Sequence, residues 1–121
     1  MANPDNILTK LHDLLLYLVP QLAKFPRDQK FLLADRIQVK VLDVQEACLR
    51  AYYTRDKISH LRQANMSLEI CRHLVRLSHD LRFLTTKTYG VLCEKMDEVG
   101  RMVGGWLKAS RSPDAKGGAA T

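Results

Sequence analysis

The chain has 121 residues, 46% of them apolar and 26% charged, the make-up of a single globular domain that can bury a core without disulfide or metal staples. Its formal charge is +6 and its pI about 9.4, so an anionic partner is expected, nucleic acid first, although many small proteins are basic for solubility alone. The longest apolar run, 14–20, is far short of the ~20 residues of a membrane span, and the first residues lack the basic start of a secretory signal; the expectation is a cytoplasmic protein with no membrane contact.

Taken in order, Pro4 with Asn3 or Asp5 supplies a helix start. Ile7, Leu8, Leu11, Leu14, Leu15, Leu18, Leu22 and Phe25 then recur at i, i+3 and i+4, which predicts a helix to about Lys24. Pro20 falls on its solvent side and predicts a bend rather than a break. Phe25-Pro26 is a hinge, since a residue before proline is pushed out of the α region. A second helix is predicted from about Arg27 to Tyr53, burying Phe31, Leu33, Ala34, Ile37, Val41, Leu42, Val44, Cys48, Leu49, Ala51 and Tyr52. On its outer face, Lys40 with Asp43 and Glu46 with Arg50 are spaced to pair.

A weak break at 54–56 leads into the longest uninterrupted pattern, Asp56 to Leu84. At 100° per residue its apolar residues sweep roughly 220°, wider than one side of a small bundle requires. Ile70, Leu74, Leu77 and Leu81 belong to that arc, which therefore asks for neighbours beyond its own bundle. The remaining seam carries Arg55, Arg62, Asn65, Glu69, Arg72, His73, Arg76 and Asp80. The ladder Asn65-Glu69-Arg72-Arg76 can be a solvated face, a partly buried network that fixes helix register with Arg36, or a docking face for phosphate or protein.

Thr85 or Thr86 caps a fourth helix reaching about Ala109, with Tyr89, Leu92, Cys93, Met96, Val99, Val103, Trp106 and Leu107 on its apolar face. Gly100 and Gly104, one turn apart, predict close approach of another backbone. Residues 110–121 are small, polar and rich in Gly and Pro, and predict a disordered tail. Four helices with short connections predict an all-α, antiparallel up-down-up-down four-helix bundle over 1–109.

The sequence holds no Gly-rich phosphate loop, HExxH, GxSxG or paired-carboxylate metal motif, so neither a catalytic nor a metal or cofactor site is expected. His79 and Asp80 are the nearest approach to catalytic residues, but adjacent helix positions point about 100° apart. His60 reads as a partly buried interface histidine. Cys48, Cys71 and Cys93 are odd in number, without CxxC spacing, and read as reduced thiols serving as small hydrophobes. Aromatics are sparse and placed for packing, so no base-stacking platform is evident and nucleic acid would be held through its backbone and shape. The candidate cations for that contact are Arg36, Lys40, Arg50, Arg55, Arg62, Arg72 and Arg76.

Three stretches, FPRDQKFLLADRI (25–37), ANMSLEICRHLVRLSHDL (64–81) and MDEVGRMVGGWLK (96–108), resemble the accessory variability determinant (Avd) proteins of diversity-generating retroelements. These sit in a wider four-helix-bundle family that includes proteins encoded in intervening sequences of bacterial ribosomal RNA genes. The more distinctive motif is the ending, Asp97, Glu98, Gly100, Arg101, Gly104, Gly105, Trp106 and Lys108; the other is Phe25, Pro26, Lys30 and Phe31. The resemblance covers nearly everything but the tail. It implies a homo-oligomer, typically a pentameric ring with a positive surface, that partners the retroelement reverse transcriptase and binds template RNA, and possibly DNA, without catalysing the reaction. Gly100, Gly104 and Trp106 would then serve helix or subunit packing. The alternatives are a generic bundle of the intervening-sequence type without a reverse-transcriptase partner, and a small enzyme built on His79 and Asp80.

Overall fold

In the computed structural model, which describes residues 4–111, α1 spans Pro4–Leu22. Ile7, Leu11, Leu14, Leu18 and Leu22 are buried along one line, as their spacing dictates. The helix runs through Pro20 without a break and ends two residues past it, short of Lys24. Proline has no N–H to donate to Leu16, and the next turn tightens. Lys24 N donates to Gln21 O and Phe25 N to Leu22 O, at 3.2 and 3.1 Å. Phe25 is buried at the hinge with its ring centroid 5.6 Å from that of Phe83.

The second helix, α2, covers 27–53 but is not uniform. An α turn, Arg27–Gln29, runs into a π turn, Lys30–Ala34, before the α-helix Asp35–Tyr53. A π turn absorbs an extra residue and shifts the phase of side chains on either side of it. Phe31, expected inside, is consequently 79% exposed, and Leu32 is exposed beside it. Leu42, Leu49 and Tyr52 are exposed too, flanking the true core line of Ile37, Val41, Val44, Cys48 and Ala51. The buried face of α2 is thus narrower than its apolar content suggests.

Helix α3 spans Lys57–Asp80. Asp56 caps it, its Oδ1 accepting from Ser59 N at 3.2 Å. Lys57 Nζ reaches back to donate to Ala51 O and Thr54 O at 2.8 and 3.0 Å, closing the open carbonyl end of α2 with a positive charge. The helix stops at Asp80 rather than Leu84, because Phe83 N donates to Ser78 O (2.8 Å) and Arg82 N to His79 O (2.9 Å). That is a Schellman closure, which places its penultimate residue in the left-handed region. Arg82 holds that position at φ 68°, where glycine would sit without strain. Arg82→Gly should raise the stability of the fold by about 0.5–1 kcal/mol, read as a higher denaturant midpoint at unchanged slope.

Helix α4 spans Thr86–Arg111, with Thr85 Oγ1 accepting from Thr88 N at 3.1 Å as its cap. Ser110 and Arg111 belong to this helix; the rest of the expected tail lies outside the described residues. The four helices pack in sequence, α1 on α2, α2 on α3 and α3 on α4, and α1 closes on α4. Lys10 pairs with Glu98 at 3.4 Å across that closure, and Lys95 Nζ lies 5.7 Å from the Tyr17 ring. Leu61, Cys71, Val75, Leu92, Met96, Val99 and Val103 meet in the interior. The protein is an all-α four-helix bundle.

Candidate interaction surfaces

The core of α3 runs along Leu61, Ala64, Leu68, Cys71 and Val75. Met66, Ile70, Leu77 and Leu81 lie on the opposite side of the same helix, and all are exposed, with Leu74 half-buried at their edge. The wide apolar arc read from the sequence therefore has two halves. One is consumed by the bundle, and the other forms a stripe that this single chain leaves uncovered.

A groove flanks the stripe on each side. Toward α4 lies a groove of about 770 Å³ lined by Arg62, Asn65, Met66, Leu68, Glu69, Arg72, Asp97, Gly100 and Arg101. Through Glu69, Arg72 and Asp97 it continues into a hollow of about 200 Å³ that adds His73, Arg76, Tyr89, Cys93 and Met96. Toward α2 lies a groove of about 360 Å³, with Ala47 and Ser67 among its smaller lining residues, Met66 and Ile70 on the α3 side, and Lys40, Asp43, Glu46 and Arg50 on the α2 side. The predicted cations are therefore divided. Arg62, Arg72 and Arg76 follow one groove, Lys40 and Arg50 the other, Arg55 sits in the α2–α3 turn, and Arg36 is exposed on α2.

Their partners divide them again. Lys40 pairs with Asp43 at 3.4 Å, Arg50 with Glu46 at 3.2 Å and Arg76 with Asp80 at 4.0 Å, all within one helix and largely solvated. Such pairs contribute ~0–1 kcal/mol each and yield readily to a competing anion. Arg72 is different, because it crosses between helices. Its Nη2 lies 3.4 Å from Met96 O and 3.4 Å from Asp97 Oδ1, and its Nε is buried without a hydrogen-bond partner. A Cβ at Gly100 would stand 2.5 Å from that Nη2. Gly100 therefore makes room for a guanidinium, where the sequence suggested a neighbouring backbone; Gly104 faces open space. For Arg72 the register-fixing reading of the ladder is the one this geometry favours. Trp106 is buried in its own bundle.

The topology gathers further cations that the sequence left without a role. The C-terminus of α2, the N-terminus of α3 and the C-terminus of α4 meet at one end of the bundle. Arg50, Arg55, Lys57, Arg62, Arg101, Lys108 and Arg111 come with them, outnumbering Glu46 and Asp56 there, while Asp43, Glu69, Glu94, Asp97 and Glu98 occupy the middle of the bundle. Exposed aromatics also depart from expectation: besides Phe31, Tyr53 is 78% exposed and Tyr52 is exposed next to it.

His79 and Asp80, expected to diverge, are in contact. His79 Nδ1 is 3.3 Å from Asp80 Oδ1, its Nε2 is 3.3 Å from Thr86 Oγ1, and its ring stacks on Tyr89 at 4.3 Å and 14°. Both residues lie in the last turn of the helix, and the Asp80 carboxylate stays exposed. Acid, imidazole and hydroxyl stand in relay order, but one ring face is covered by Tyr89 and neither His79 nor Thr86 lines any of the grooves above. The group acts as a polar clasp between the end of α3 and the start of α4. A hydrogen bond to Cys93 holds the nearby Tyr89 phenol above its usual range. Among the described residues, no three His, Cys, Asp or Glu side chains are grouped to hold a metal ion, and no helix is long and apolar enough to cross a membrane.

These features define a four-helix-bundle protein whose distinctive chemistry is spread over open grooves, an uncovered apolar stripe and a cationic end. The bAvd-like family model matches residues 6–110, and the chain belongs to that family: it is an Avd-type accessory protein. No curated protein matches it significantly.

Proposed function

We propose that this chain is a non-catalytic, ring-forming scaffold of a diversity-generating retroelement, binding the element's reverse transcriptase and its template RNA during mutagenic cDNA synthesis and retrohoming. The observation that carries the assembly is the uncovered stripe of Met66, Ile70, Leu77 and Leu81 on the far side of α3 from its core. A second apolar set, Leu16 and Val19 of α1 with Leu42 and Leu49 of α2, is exposed on the side of α2 away from α3. Two different apolar faces suit a heterologous contact, in which one face of each copy meets the other face of the next. Such contacts close into a ring when the rotation per copy allows, and the family resemblance supports five copies.

The cationic end supports the nucleic-acid half of the reading, since Arg55 and Arg62 are exposed and have no ion pair among the described residues. Binding should weaken steeply with salt, and the slope of log affinity against log salt should shrink when Arg55, Arg62 and Arg76 become alanine. Each lost phosphate contact should reduce it by about 0.7–0.9. A slope unchanged by the three substitutions would place the contact elsewhere. The reverse-transcriptase half is tested by co-expression with the reverse transcriptase encoded nearby, where the two should co-purify. A gene neighbourhood with neither reverse transcriptase nor template repeat would sink it.

A further inference from the structure

Tyr52 and Tyr53 end α2 at the cationic end of the bundle. Their rings meet edge to face, with centroids 4.9 Å apart at 83°, and most of the Tyr53 surface remains in water. Tyr53 lies three positions after Arg50, which places both on one face of the helix. Arg55 follows in the turn, exposed and without an ion pair among the described residues. Among the described residues Arg50 has one ion pair, the solvated one to Glu46. Packing within the bundle does not account for this cluster. Tyr53 makes no contribution to the core, and the C-terminal carbonyls of α2 are already closed by Lys57 and by Thr54 Oγ1, which donates to Arg50 O at 2.7 Å.

An exposed ring near Arg50 and Arg55 along the chain has the two parts that an unstructured nucleic-acid strand requires. The ring offers a flat face to an unpaired base, and the cations meet the phosphates on either side. A duplex keeps its bases stacked on one another and cannot use the ring. The Phe31 site differs, because a second apolar side chain, Leu32, is exposed beside it. From this geometry we infer that Tyr53, edge to face with Tyr52 and near Arg50 and Arg55 along the chain, is a stacking station for an unpaired base of single-stranded nucleic acid. This rests on the nucleic-acid reading above and adds which form of the polymer is gripped at this end of the bundle.

The test is fluorescence anisotropy of the full-length protein with three labelled probes: an oligouridylate of about ten nucleotides, an abasic strand carrying the same phosphates, and a duplex of matching length. The wild type should bind the oligouridylate about tenfold more tightly than the abasic strand. Tyr53→Ala should remove that preference and leave abasic and duplex binding unchanged, while Tyr53→Phe should retain it. Equal wild-type affinity for oligouridylate and abasic strand, or a Tyr53→Ala protein that still prefers the bases, would overturn the inference while leaving phosphate binding intact. If Tyr53→Ala instead lowers the sedimenting mass without altering the preference, Tyr53 belongs to a contact between copies and the inference is likewise overturned. If the wild type binds none of the probes, the nucleic-acid reading itself fails, and the stacking station with it.

Discussion

Replacing Ile70 and Leu77 together by aspartate should leave the helical signal of the protein intact and reduce its sedimenting mass to the 13.8 kDa of one chain. Both side chains project from the face of α3 opposite its core, so neither substitution buries a charge in the bundle. In an assembled ring they would lie between subunits, where an unpaired carboxylate costs several kcal/mol. The same change at Leu68 or Val75, on the buried side, should unfold the chain, and that contrast separates loss of assembly from loss of structure. A wild-type protein that already sediments as a single chain at micromolar concentration would remove the physical basis for the ring. Binding of a partner other than a second copy would then have to explain the stripe.

The second large effect lies in alkaline solution. Burial pushes the thiols of Cys48 and Cys71 up to about 12 from 9.0, with the neighbouring charge of Arg72 opposing this only in part for Cys71. Their folded pKa values stand above the unfolded ones, so the stability they contribute is fully present below pH 9 and is lost as pH rises from 9 toward 12. Over that window the loss should reach several kcal/mol for the two together, a large share of the stability of a domain this size. Replacing both by alanine, at some cost in packing at neutral pH, should flatten the fall in thermal midpoint across the same range. An identical alkaline slope in the double variant would assign it to other groups. At pH 8 a thiol reagent should titrate half-buried Cys93 first and reach Cys48 and Cys71 only as the chain opens.

Much of the architecture was legible because it depends on spacing. The number of helices, the core line of α1 and the excess apolar arc of α3 all follow from periodicity, and the structure bears them out. What was not legible depends on events that periodicity does not encode. The π turn at Lys30–Ala34 breaks the phase on which Phe31 was assigned to the core. A wheel assumes that every apolar residue near the core line is needed there, and so it counted Leu42, Leu49 and Tyr52 as buried. His79 and Asp80 meet although both belong to the helix, because a wheel fixes only where each side chain leaves the backbone and the imidazole and carboxylate can turn toward each other. The role of Gly100 needed the third dimension, since the group it accommodates belongs to another helix 28 positions earlier in the chain. Periodicity also does not say how the candidate cations are grouped; α3 parts five of them between two grooves, Arg62, Arg72 and Arg76 on one side and Lys40 and Arg50 on the other.

The seat of Arg72 has a mechanical meaning. Helices that meet only through apolar side chains can creep past one another in small increments, with many shallow minima. A guanidinium lodged where one residue lacks a Cβ acts as a detent: the sliding coordinate between α3 and α4 acquires a single deep notch, and intermediate positions put the charged fork against side chains. Gly104, four residues and about 6 Å further along the axis, faces open space and forms no second seat. The pair therefore has one place where the fork seats, and sliding α4 along α3 would have to lift the fork out of it.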